Sequence, residues 1–118
     1  MKWIKLYEDF DAINSVISNT TDILISLRDY GFNVKVSSQN NEISIEISKN
    51  KSEELKVFRS SDISNLLQDS DKYLTLGEGL KLESIFLETI EGSKELQTIN
   101  SLIRERSGLL AVYISYVF

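Results

Sequence analysis

TDILISLRDYGFNVKVSSQNNEISIEI, residues 21–47, is the stretch whose reading decides the fold. Ile23, Leu24, Leu27 and Tyr30 recur at helical spacing, and Gly31 stands just past the last turn, where a helix often ends in the left-handed region. Phe32, Val34 and Val36 then alternate with Asn33, Lys35 and Ser37, so the period switches from helix to strand at Gly31. After the polar cluster Ser38, Gln39, Asn40, Asn41, a second strand sets Ile43, Ile45 and Ile47 on one face and Glu42, Ser44, Glu46 and Ser48 on the other. The stretch predicts a helix, a glycine stop and a half-buried hairpin.

Upstream, Phe10, Ile13, Val16, Ile17, Thr20, Leu24 and Leu27 extend the helical stripe, with a kink or restart expected at the Ser18-Asn19-Thr20-Thr21 cluster. Residues 2–7 read either as a short strand or as the frayed start of that helix, and the strand is preferred. Downstream, residues 48–54 read as a solvated loop. A second helix over residues 62–74, capped by Ser60 or Ser61, turns Ile63, Leu66, Leu67 and Leu74 inward and Asp62, Gln68, Asp69 and Asp71 toward water. Gly77 and Gly79 end it. Residues 80–90 form a strand that alternates poorly, which predicts cover on both faces or a bulge.

Ser93 caps a third predicted helix running through Leu96, Ile99, Leu102 and Ile103 to Gly108. Residues 109–118, apolar on both faces, are expected inside a sheet or awaiting a partner. The order predicts a single α+β domain over residues 1–118, with two layers and helices on one face of an antiparallel or mixed sheet. It reads as a ferredoxin-like βαββαβ core with a C-terminal αβ extension.

Composition narrows the chemistry. The 118 residues suffice for one hydrophobic core. They include neither cysteine nor histidine, which removes thiolate ligands, thiol nucleophiles and the commonest general base. The sequence therefore predicts a non-enzymatic protein without a cofactor or metal. A net charge of −5, with the basic residues scattered, argues against nucleic acid. No apolar run reaches the ~18 residues of a membrane span, and the opening MKWIKLYEDF lacks the apolar core of a signal peptide, so a soluble intracellular protein is expected.

The polar constellations have plain structural readings. The cluster Glu8, Asp9, Asp11 suits a helix N-terminus better than a calcium loop. Glu42 and Glu46 lie on the solvated face of the hairpin, too far apart for a glycosidase pair. Glu83 and Glu88 point to opposite faces of a regular strand unless a bulge intervenes. Gly77-Glu78-Gly79 precedes a strand and so is a turn rather than a phosphate loop. Arg104-Glu105-Arg106 is read as complementing a helix C-terminus in preference to clamping phosphate.

The opening MKWIKLYEDF, the helix ending in DILISLRDYGFNVKVS and the strand EISIEIS together resemble a group of small proteins of large tailed bacteriophages and marine viral genomes. Those proteins open with Met-Lys-x-Ile-Lys-x-aromatic-Glu-x-Phe, matched here by Met1, Lys2, Ile4, Lys5, Tyr7, Glu8 and Phe10. The likeness covers the first half of the chain and carries no catalytic motif. It implies a viral origin and expression in the cytoplasm of an infected bacterium, with a place in the virion as a further expectation, and it transfers no activity. Leu6-Tyr7-Glu8 also resembles the Leu/Ile-x-Glu site at which prohead proteases trim packaged proteins.

These readings lead to a phage protein that binds a host or phage protein, for example to block a host or defence factor. Trp3, Tyr113, Tyr116 and Phe118 are its candidate anchors, because aromatic residues dominate protein interfaces. The same four residues are also what a core would use. The alternative is a homo-oligomeric structural or virion-associated protein whose last strand pairs with its symmetry mate.

Overall fold

A computed structural model describes residues 10–51 and 54–118. The strand expected over residues 2–7, Trp3, the site Leu6-Tyr7-Glu8 and the side chains of the Glu8, Asp9, Asp11 cluster lie outside the described residues.

Helix α1 (Phe10–Leu24) runs without a break through the cluster expected to kink it. The reason is local: Thr20 Oγ1 donates to the carbonyl of Val16 and Thr21 Oγ1 to that of Ile17, each at 2.8 Å, so the hydroxyls bond back to the preceding turn. Val16, Thr20, Leu24 and Leu27 form the buried stripe. The helix tightens into a 3-10 segment (Ile25–Tyr30) and stops at Gly31, whose φ of 88° is open to glycine at little cost. The N–H groups of Gly31 and Phe32 return to the carbonyls of Arg28 and Leu27, each at 3.1 Å.

Strands β1 (Asn33–Gln39) and β2 (Glu42–Ser48) pair around Asn40 and Asn41, at φ of 50° and 66°. Two consecutive left-handed residues make a type I′ turn, which matches the twist of the flanking strands. The predicted hairpin is observed, with Ile43, Ile45 and Ile47 on its buried face, and the turn is narrower than the polar cluster because Ser38 and Gln39 pair with Ile43 and Glu42. The expected solvated loop beyond it contains a small ribbon, β3 (Asn50–Lys51) with β4 (Glu54–Leu55).

A 3-10 turn (Ser60–Asp62) leads into α2 (Ser64–Lys72), which continues as a π turn (Tyr73–Gly77). Ile63, Leu67, Ser70 and Leu74 are its buried face. Next come β5 (Lys81–Thr89), β6 (Gly92–Leu96), α3 (Ile99–Ile103) and β7 (Leu109–Val117).

Five strands form one antiparallel sheet in the order β1-β2-β7-β5-β6. The strand order is not a simple ferredoxin-like one: β7, which was expected only as an extension of the βαββαβ core, lies between the hairpin and β5. Residues 92–96, expected as helix, instead fold back on β5 as an edge strand. The third helix is accordingly short, with Thr98 Oγ1 accepting the N–H of Ser101 at its start. Strand β7 lies at the centre, as its two apolar faces predicted. With both edges hydrogen-bonded to β2 and β5, it is closed to strand pairing with a symmetry mate.

The core lies between the sheet and the helices. Ile45, Ile114 and Ile85 stand in register across the three middle strands, flanked by the rows Ile47, Val112, Leu87 and Ile43, Tyr116, Leu82. Eight of these nine side chains are buried and Leu82 is half-buried. The helices pack on this face alone, so the alternate positions of all five strands form a second face that no other described element covers.

Candidate functional site

Pairing register sets the rows of the uncovered face. One runs Lys35, Glu46, Tyr113, Phe86, Glu95 across β1, β2, β7, β5 and β6. Beside it runs a row of four serines, Ser37, Ser44, Ser115 and Ser84. Small side chains next to large ones make relief: the serine row is the floor of a trough, and Tyr113 with Glu46 and Lys35 is one wall. The resulting depression is about 270 Å³.

The wall is capped by an aromatic pair. Phe86 and Tyr113 lie 6.4 Å apart between ring centroids at an interplanar angle of 49°. Phe86 is 42% exposed, a large cost for a phenyl ring that one residue of register would have buried. Its neighbours Ile85 and Leu87 fill the core, so the sequence signal for Phe86 is an apolar residue in the polar phase of a strand. Reading the segment as covered on both faces hid that signal.

A bulge decides where the acids go. The pairing of β5 with β7 shifts between Leu82 and Ser84, leaving Glu83 as the extra residue. The shift brings Glu83 onto the same face as Glu88, the condition under which the two were expected to share a side. Glu83 reaches the Glu42 carboxylate across β7; desolvation first, and then the hydrogen bond and charge of Glu42, push it above the usual carboxylate range. Tyr113 is likewise pushed up, by desolvation and then by the charges of Glu88 and Glu46. Its hydroxyl therefore stays protonated and serves as a hydrogen-bond donor.

Among the described residues Glu42, Glu46, Glu83, Glu88 and Glu95 thus share the face with only two strand lysines, Lys35 and Lys81. The face is acidic around an aromatic centre. Among the described residues no three acidic side chains converge as a metal site. With no histidine or cysteine in the chain, the titratable groups of the face are its carboxylates, its lysines and the Tyr113 hydroxyl.

The predicted aromatic anchors separate. Tyr113 is on the open face. Tyr116 is in the core, fully buried, with its hydroxyl donating to Asp71 Oδ1 at 2.8 Å. Phe118 packs its ring partly buried against the core, and its N–H donates to the carbonyl of Asn41 at 3.3 Å. Asp71, expected toward water, is half-buried on the stripe between Leu67 and Leu74. That spacing, four residues after one core leucine and three before the next, was the available signal.

A second depression, of about 370 Å³, lies between α2 and the start of α3, lined by Gln68, Asp71, Lys72, Thr75, Gln97 and Asn100 among others. Its one buried-side carboxylate, Asp71, is already engaged by Tyr116. Among the described residues no helix is long and apolar enough to cross a membrane. The chain matches no protein-family description, and neither curated proteins nor solved structures yield a match.

Proposed function

We propose that the protein is a non-enzymatic protein-binding protein whose contact surface is the open face of the sheet. The observation that carries this reading is the exposed Phe86 beside Tyr113 on a five-stranded face that no other described element covers. Aromatic residues at the centre of a patch, rimmed by charge, are the usual anchors of a protein interface. The rim here is acidic, so the partner presents a basic surface with an apolar centre, and a basic segment laid across the strands fits the serine trough.

The viral resemblance supports a partner from the infected bacterium or the phage itself, met in the host cytoplasm or in the virion. Charge favours a foreign partner over a second copy of the chain. Face-to-face self-association would set five glutamates against five, and only the two lysines on each face would offset them.

The test is capture from a lysate of the bacterial host, comparing the native chain with Phe86→Ser and Tyr113→Ser. A stoichiometric partner that is retained by the native chain, lost with either variant and released by raised salt supports the reading. Equal capture by all three proteins, or a concentration-dependent dimer with no other partner, overturns it.

A further inference from the structure

Three of the four arginines in the chain line one depression of about 280 Å³, away from the open face. Arg59 comes from the segment before α2, Arg104 and Arg106 from the segment after α3. The nine lysines contribute none of its lining. The two segments are tied by Ser60, which is buried and whose Oγ donates to the carbonyls of Ile103 at 3.2 Å and Glu105 at 2.9 Å. The floor is therefore fixed, and the exposed guanidinium groups and the Ser61 hydroxyl stand around it.

The nearby acids are otherwise engaged. Asp62 Oδ2 accepts the N–H of Arg59 at 2.9 Å, closing its own turn. Glu105 also lines the depression, but its Oε1 accepts from Lys94 Nζ at 3.0 Å and from the N–H of Ser107 at 3.2 Å. Among the described residues Arg59, Arg104 and Arg106 form no ion pair. On a chain of net charge −5, three arginines facing one hollow without carboxylate partners leave a local positive potential. The helix-dipole reading of Arg104 and Arg106 loses its basis as well, since α3 has only five residues.

We propose that this depression binds a phosphate-bearing small anion. Guanidinium groups are planar forks that meet oxyanions through paired N–H donors, which ammonium groups cannot do. A carboxylate presents its two oxygens in one plane to one or two forks, whereas a tetrahedral phosphate offers oxygens in several directions at once. Forks arriving from two separate segments, with the Ser61 hydroxyl on the same lining, match the tetrahedral group. The volume falls just below the range of drug-sized sites, roughly 300–1,000 Å³, and suits a phosphate with a modest substituent.

The experiment is calorimetric titration of the full chain with pyrophosphate, and with tricarballylate as a carboxylate of comparable charge, at constant ionic strength. Pyrophosphate is expected to bind saturably at one site, and tricarballylate more weakly by about tenfold or more. Arg59→Gln, Arg104→Gln and Arg106→Gln each lower pyrophosphate affinity about tenfold, the loss of one charge-assisted contact. Arg104→Lys weakens binding too, although it keeps the charge. Lys72→Gln, exposed on α2 and outside this lining, leaves binding unchanged, and circular dichroism verifies that each variant is folded. Absence of saturable binding, equal affinity for tricarballylate, or full affinity in the triple arginine variant overturns the proposal.

Discussion

The hydroxyl of Tyr116, on the central strand, donates a 2.8 Å hydrogen bond to Asp71 Oδ1 on α2, and so fastens the helix layer to the sheet. Tyr116→Phe leaves the half-buried carboxylate without its donor, at an expected cost of about 1–3 kcal/mol. At roughly 4 °C per kcal/mol for a domain near this size, the fall in Tm is readily measured. Burial first, and Asp71 second, push Tyr116 above its ordinary value of 10.0. The sign follows: this contribution is complete below pH 10 and is lost as pH rises beyond it. Tyr116→Phe is therefore less stable at neutral pH and loses less stability on going to alkaline pH, as chemical denaturation at the two pH values would show.

Glu83 and Glu42 give the opposite kind of pH dependence. A carboxylate raised in the folded state binds its proton more tightly there, so stability falls as pH climbs from the unfolded value, about 4.3, through the folded one. Glu83→Gln removes that penalty. The variant is expected to melt above the native protein at pH 7, with the difference shrinking to nothing by about pH 4. A lower Tm at pH 7 would show that the pair is not repulsive.

How much of this was legible follows from where the signals are local. The α1-Gly31-hairpin unit announces itself because a helical stripe, a glycine and two alternating strands are each read within a few residues. Strand β7 was legible because apolar residues on both faces leave two places, the middle of a sheet or an edge awaiting a partner, and the first is the one observed. Strand β6 was not: in Gly92–Leu96 only Leu96 is apolar, and the helical spacing of Ile99, Leu102 and Ile103 lent the segment a period that belongs to its neighbour. Edge strands carry little burial and often hold charge, as Lys94 and Glu95 do here. The arginine hollow depends on segments distant in sequence, which no local period encodes, whereas the signal at Phe86 was local and was masked by the poor alternation of its bulged strand.

Phe86 and Ile85 make a direct comparison of the two faces. Ile85→Ala opens a cavity at the centre of a fully buried row, with an expected loss of about 2–5 kcal/mol. Phe86→Ser removes a ring that is largely in water on one side, so its effect on folding is expected to be about 1 kcal/mol or less. Urea denaturation of the two variants checks the assignment of faces. A larger loss for Phe86→Ser would mean that the bulge at Glu83 is misplaced and the face is reversed.

Gly31 is the point where the helix hands the chain to the sheet, and its backbone conformation sets the direction of β1. An added Cβ there meets only the Lys49 side chain at an ordinary 3.7 Å, so space does not forbid alanine. The φ of 88° does. Holding an L-residue in the left-handed region costs about 1–2 kcal/mol, partly offset by the lower entropy of the unfolded alanine chain. Gly31→Ala is thus expected to destabilise by roughly 1 kcal/mol, while Gly31→Asn, which tolerates the same region, costs less. Thermal unfolding of both variants separates conformational strain from crowding. A loss that follows side-chain size, with asparagine worse than alanine, would point to crowding against Lys49 instead.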